Sequence, residues 1–186
     1  MSDIRGLIIQ SRLDYIEAKD GGKAYNKVFQ KLSEPVRQSV GEQVFPTNLY
    51  PFHQLRDLDL AIGESIDQPL ESIFREIGSQ FAQKTLDRYF FNYLESQDPQ
   101  KFLAQIDKLY GYLWSFGEYS YQKNKANSAS VRFDYDEDIH KTYCWFMQQF
   151  LIKGVEMCGG VDVKLDEKEC EAEGGGSCTY RISWSK

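Results

Sequence analysis

The sequence predicts an α+β fold, with a helical N-terminal half followed by β-β-α-β-β and a four-stranded antiparallel sheet. Three observations carry that expectation. Apolar residues recur at helical spacing as far as Gly117; beyond it they alternate singly; and one long helical pattern, His140 to Cys158, interrupts the alternation.

The helical half opens at Leu7 to Ala18, where Ile8, Leu13 and Ile16 mark the period and Asp20-Gly21-Gly22 stops it. Ala24 to Val40 follows, with Tyr25, Val28, Phe29 and Leu32 in step and a restart at Pro35. Pro51 to Ile62 sets Phe52, Leu55, Leu58 and Ile62 on one face, with Pro51 as the first helical residue. A long aromatic helix is expected from Pro69 to Leu94, running through Leu70, Ile73, Ile77, Phe81, Tyr89, Phe90 and Tyr93. Asp98-Pro99 starts the last helix of this half, with Phe102, Ile106, Leu109, Leu113 and Phe116 in step.

In the second half, Tyr119 and Tyr121 alternate with polar residues, and Val131, Phe133 and Tyr135 alternate on the return. The polar run Lys123 to Ser128 reads as the hairpin turn between them. Acidic Asp136-Glu137-Asp138 suits the start of the 140–158 helix, which presents Cys144, Met147, Leu151 and Val155 on one face. Gly159-Gly160 ends it. Val161, Val163 and Leu165 form one further strand, and Cys178, Tyr180, Ile182 and Trp184 the last. Short turns between consecutive strands make the sheet antiparallel. With no repeat and no long linker, the 186 residues read as one domain, 1–117 helical and 118–186 built on the sheet.

Composition removes several function classes. Lys and Arg number 22 against 28 Asp and Glu, a net charge of −6, and no basic stripe is present to displace counterions from nucleic acid. No apolar run approaches the ~20 residues that cross a bilayer, and no signal or lipidation pattern is present. A cytoplasmic location follows, where thiols stay reduced.

That makes the four cysteines informative. Cys170 and Cys178 flank a Gly-rich turn, Cys144 begins the helix over the same sheet, and Glu167 ends the preceding strand. Three thiolates and a carboxylate would close a tetrahedral structural zinc site. Buried core thiols, or a cross-hairpin disulfide, would satisfy the same spacing. Cys158 reads as a packing residue. Gly174-Gly175-Gly176-Ser177 lacks the Lys and helix of a phosphate loop, and His53 and His140 read as surface or capping residues. Tyr89, Tyr93, Tyr110 and Trp114 belong to an aromatic surplus that either fills the core or lines a pocket for a small hydrophobic or aromatic ligand. No catalytic constellation is visible.

Cys144-Trp145, Glu167-x-x-Cys170 and Cys178 leading into Tyr180-Arg181-Ile182-Ser183-Trp184 resemble the 4-vinyl-reductase-type small-molecule-binding domain. That family shares its fold with haem nitric-oxide-binding domains and a vesicle-tethering subunit family. The separations of 23, 3 and 8 match the zinc site of its phenol-sensing members. The resemblance implies one structural zinc on Cys144, Glu167, Cys170 and Cys178. Over the whole chain, Arg5-Gly6, Ser11-Arg12-Leu13-Asp14 and Tyr50-Pro51-Phe52 are similar to a bacterial family of unassigned function.

The resemblance also implies a non-enzymatic sensory or adaptor module, homodimeric, that binds a small hydrophobic ligand between the helical half and the sheet and signals to a separate protein. A ligand-free interaction scaffold and a tetrapyrrole-related enzyme or assembly factor are the competing readings. The phenol sensors' orienting histidine has no counterpart here. Haem-binding relatives use a histidine on a helix before the sheet and a Tyr-x-Ser-x-Arg motif. Ser128-Ala129-Ser130-Val131-Arg132 lacks the tyrosine, and no histidine lies between His53 and His140, so haem is not expected.

Overall fold

A computed structural model describes residues 2–19, 22–41 and 43–185. It bears out the α+β class: seven α-helices, a four-stranded antiparallel sheet and a two-stranded one, among the described residues. The chain divides into two compact units. One comprises the chain as far as Ile73 together with Tyr112–Ser115; the other comprises Phe74–Gly111 and the chain from Phe116 onward.

In the first unit, β1 (Asp3–Arg5) leads directly into α1 (Gly6–Ala18). Gly6 is there because a Cβ would stand 2.1 Å from the Phe45 carbonyl oxygen. The Asp20-Gly21 part of the expected stop lies outside the described residues; Gly22, at φ +86°, caps α2 (Lys23–Lys31). The expected helix over 24–40 is two helices, α3 (Glu34–Gly41) restarting one residue before Pro35. The sequence shows no sign of the strand pair. β2 (Leu49–Pro51) pairs antiparallel with β1, and three-residue strands are too short to show a period. Pro51 therefore ends a strand and N-caps α4 (Phe52–Ser65) instead of opening the helix.

The core of this unit holds one buried ion pair. Arg12 Nε and NH2 donate to the two Asp59 carboxylate oxygens at 2.9 and 3.2 Å, tying α1 to α4, with side chains 0% and 2% exposed. The bidentate geometry satisfies both charges where water cannot.

In the second unit the sequence and structure differ at one helix end. α5 (Leu70–Arg88), which begins in the first unit, stops well short of Leu94. Phe90 leaves helical backbone at φ −133°, and Phe91–Tyr93 form a 3-10 turn. The aromatic period continues past Arg88, but Tyr89 and Phe91 are 49% and 59% exposed. Aromatic residues lose rotamer freedom in a helix, and without burial nothing offsets that loss. α6 (Pro99–Leu113) then leads to β3 (Glu118–Lys125) and β4 (Ser128–Asp134). The register pairs Lys125 with Ser128, so Ala126-Asn127 alone make the turn and most of the expected Lys123–Ser128 loop is strand.

α7 (Lys141–Met157), β5 (Val161–Glu169) and β6 (Cys178–Ser185) complete the sheet, in the order β3-β4-β6-β5. Ala129, Val131 and Phe133 of β4 and Tyr180, Ile182 and Trp184 of β6 are buried on one face, on which α7 packs. α5 and α7 approach closely: a Cβ on Gly78 would lie 2.4 Å from the Phe146 carbonyl oxygen. Among the described residues no helix is long and apolar enough to cross a membrane.

Asp59→Ala strands the buried Arg12 guanidinium and is expected to cost about 3–5 kcal/mol. Urea denaturation of the variant beside the parent protein measures it.

Candidate functional site

The second unit brings three cysteines to one point. Cys144 lies in the first turn of α7, Cys170 directly after β5, and Cys178 opens β6. Their sulfurs all lie within 4.8 Å of one another, with Cys144 3.7 Å from Cys170 and 3.8 Å from Cys178. The side chains are 0%, 5% and 0% exposed in chain order. The loop between Cys170 and Cys178 is shaped for this approach. Gly174 sits at φ +88°, and a Cβ on Gly175 would lie 2.8 Å from the Cys170 carbonyl oxygen. The Glu171 N–H points at the Cys178 sulfur, 3.4 Å away.

Protons in the cluster are unevenly shared. Hydrogen bonding from the Cys144 thiol, helped by the Glu171 N–H and Tyr180, outweighs burial and lowers Cys178 to about 7. Cys144 moves the opposite way, because it holds the proton it donates to Cys178 and because it is buried. Burial raises Cys170, against the opposing pull of the nearby Lys141.

Glu167, expected as the fourth ligand, has partners of its own. One carboxylate oxygen accepts from Lys141 Nζ at 2.6 Å and the other from the buried Gln148 amide. It forms a second group with Glu173 and Cys170, and Lys141 sits among all three, 2.9 Å from Glu173 and 3.2 Å from the Cys170 sulfur. Burial works against the Lys141 charge, but hydrogen bonds to Glu167, Glu173 and Cys170 outweigh it and raise its pKa. Sequence reasoning missed both Lys141 and Gln148. A signal existed: Lys141, Cys144 and Gln148 stand at i, i+3 and i+7, one face of α7.

The aromatic candidates separate. Tyr110, buried on α6, packs on Phe133 at 5.4 Å and Tyr135 at 6.5 Å between ring centroids, and Tyr135 meets Tyr143 at 5.3 Å. Tyr93 is half-buried against Phe90, and Tyr89 is half exposed. Trp114 is buried in the first unit, where it forms a β-bridge with Ile4. Cys158 is a buried thiol on the Tyr93 carbonyl, raised by burial to about 11, as a packing residue should be.

Fold and comparison agree on a class. The architecture is similar to that of H-NOX domains over almost the whole chain. An unliganded Fe(II) H-NOX protein from K. algicida matches with a TM-score of 0.76 at 17% identity, covering 98% of this chain and 97% of that one. The Fe(II)CO form of an H-NOX domain from Shewanella oneidensis gives 0.74 at 14%, covering 98% and 99%. A structure from work on haem distortion in the H-NOX family gives 0.72 at 15%, covering 98% and 96%. The chain itself belongs to the DUF2378 family, a family of unknown function whose profile matches residues 4–185. No curated protein matches it.

These neighbours correct the cofactor expectation. The sequence reads as zinc in place of haem, yet solved examples of the fold are described as haem proteins, so the fold points to haem and not to zinc. Haem iron takes His, Cys, Met or Tyr. His53 is exposed on α4, and His140 N-caps α7 with its ring on Thr142. α6, the helix before the sheet, offers Tyr110 and Tyr112 as its side chains of those types. Burial pushes the Tyr110 phenol well above its ordinary value, against forming a phenolate.

Lys141→Met leaves Glu167 and Glu173 without their cation and is expected to destabilise the protein by about 1–2 kcal/mol, since hydrogen bonds to a charged group are the stronger kind. The Lys141 pKa is raised above 10.5, so its contribution is complete below that pH and lost as pH rises beyond it. Urea denaturation at neutral and at strongly alkaline pH separates the two regimes.

Proposed function

We propose that this chain is a non-enzymatic sensory domain: a ligand-binding member of the H-NOX-type fold, of the 4-vinyl-reductase type, that reports to a separate partner protein from the cytoplasm. The observation that carries the reading is the fold, which is similar to that of H-NOX domains over 98% of the chain.

Haem is the ligand that the solved neighbours bring forward, and this chain would bind it without the histidine that its α6 lacks. Titration with hemin is expected to give a saturable Soret band, and the same titration of Tyr110→Phe reads whether the phenol oxygen takes part. Hemin that remains unbound removes haem as the ligand.

A further inference from the structure

The solvent face of the sheet carries a groove rich in cations. Its volume is about 520 Å³, and Lys125, Asn127, Ser128, Lys164, Arg181 and Ser183 line it. Strand pairing fixes their spacing: Ser183 of β6 lies opposite both Ser128 of β4 and Lys164 of β5, and Arg181 lies two residues before Ser183 on the same face. The hairpin tip is fixed as well. Gln100 Nε2 donates to the carbonyl oxygens of Lys125 and Ala126 at 2.8 and 3.0 Å.

Two other cations on this face are paired. Arg132 pairs with Asp134, and Lys168 pairs with Asp166, the groove's one carboxylate among the described residues. Lys125, Lys164 and Arg181 have no ion pair or side-chain hydrogen bond among the described residues. Asp166 lies opposite Arg181 across the strands, but its carboxylate is held by Lys168, which leaves three groove cations beside one engaged carboxylate on a chain of net charge −6. Ser128 adds a second observation. It is 6% exposed, and its hydroxyl has no hydrogen-bond partner. A buried donor without an acceptor costs stability unless something from outside supplies one.

Three cations and a hydroxyl around a groove of this size suit a compact anion with several acceptor oxygens. Arg recognises such an anion with two parallel donors, and Lys adds point charge. We propose that the groove binds the phosphate group of a small molecule, with Lys125, Lys164 and Arg181 as its cations and Ser128 as a hydroxyl donor.

Calorimetric titration of the full chain at low ionic strength, with orthophosphate and separately with glycerol phosphate, tests it. Saturable binding is expected with at least one of them. Equal affinities identify free phosphate as the ligand, and tighter binding of the ester identifies an organic phosphate. Arg181→Gln should weaken binding about tenfold, the loss of one charge-assisted contact, and Lys164→Gln should do likewise. Arg132→Gln, on the same face but paired with Asp134, should leave it unchanged. Absence of saturable binding in the millimolar range, or binding that survives both Arg181→Gln and Lys164→Gln, overturns the proposal.

Discussion

Bringing three ionisable sulfurs into one dry site is the constraint to which the second unit is built. A buried thiolate without compensation would protonate, and three buried thiols gain little from their weak S–H hydrogen bonds. The site answers with a proton from Cys144, an N–H from Glu171 and a lysine ammonium beside Cys170. Each answer fixes a piece of backbone. Cys144 must lie in the first turn of α7, the β5–β6 loop must bend tightly enough for a left-handed Gly174, and β6 must begin at Cys178. The fold around the cluster is therefore more closely specified than packing alone would require.

Much of this was legible in the sequence, for identifiable reasons. Alternation at Val131, Phe133, Tyr180 and Ile182 marks the sheet, because one of its faces is buried and the other wet. The approach of Cys170 and Cys178 follows from hairpin logic, since a Gly-rich turn returns its ends to one another, and Cys144 joins them from the helix that covers the same sheet. Other features leave no comparable trace. The β1–β2 pair is three residues long, and Arg12–Asp59 joins positions 47 apart with no local signature. The Phe90 break is a failure of burial, which periodicity cannot register. Tyr89 and Phe91 have the right spacing and no surface to pack against.

Glu167 shows the same limit within the site. Its place three residues before Cys170 is compatible with a ligand, a salt-bridge partner or both, and spacing does not rank them. The ranking depends on Lys141 and Gln148, which reach Glu167 from another element. Those two share a face of α7 with Cys144, so the helix presents one polar stripe of thiol, ammonium and amide to the hairpin. The same stripe passes Gln148 on to Arg75 of α5 at 2.8 Å. The cysteine cluster is thus the end of a hydrogen-bonded chain reaching from β5 through α7 to α5.

Fold and cofactor chemistry must also be argued separately for this chain. Neighbours at 13–17% identity have a similar architecture over 97–98% of its length, and at that identity the likeness shows the fold alone. Iron chemistry depends on a single donor atom, and on α6 that donor can only be a tyrosine oxygen. Phe133 accounts for an aromatic side chain at Tyr110. Its ring lies against Tyr110, Tyr119, Tyr135 and Tyr180, so Tyr110 is held by the sheet's buried face whether or not it ever meets a metal. The Tyr110 hydroxyl is then the discriminating atom. Removing it leaves the ring packing nearly intact, so a change in ligand binding in Tyr110→Phe reports on the oxygen and not on the core.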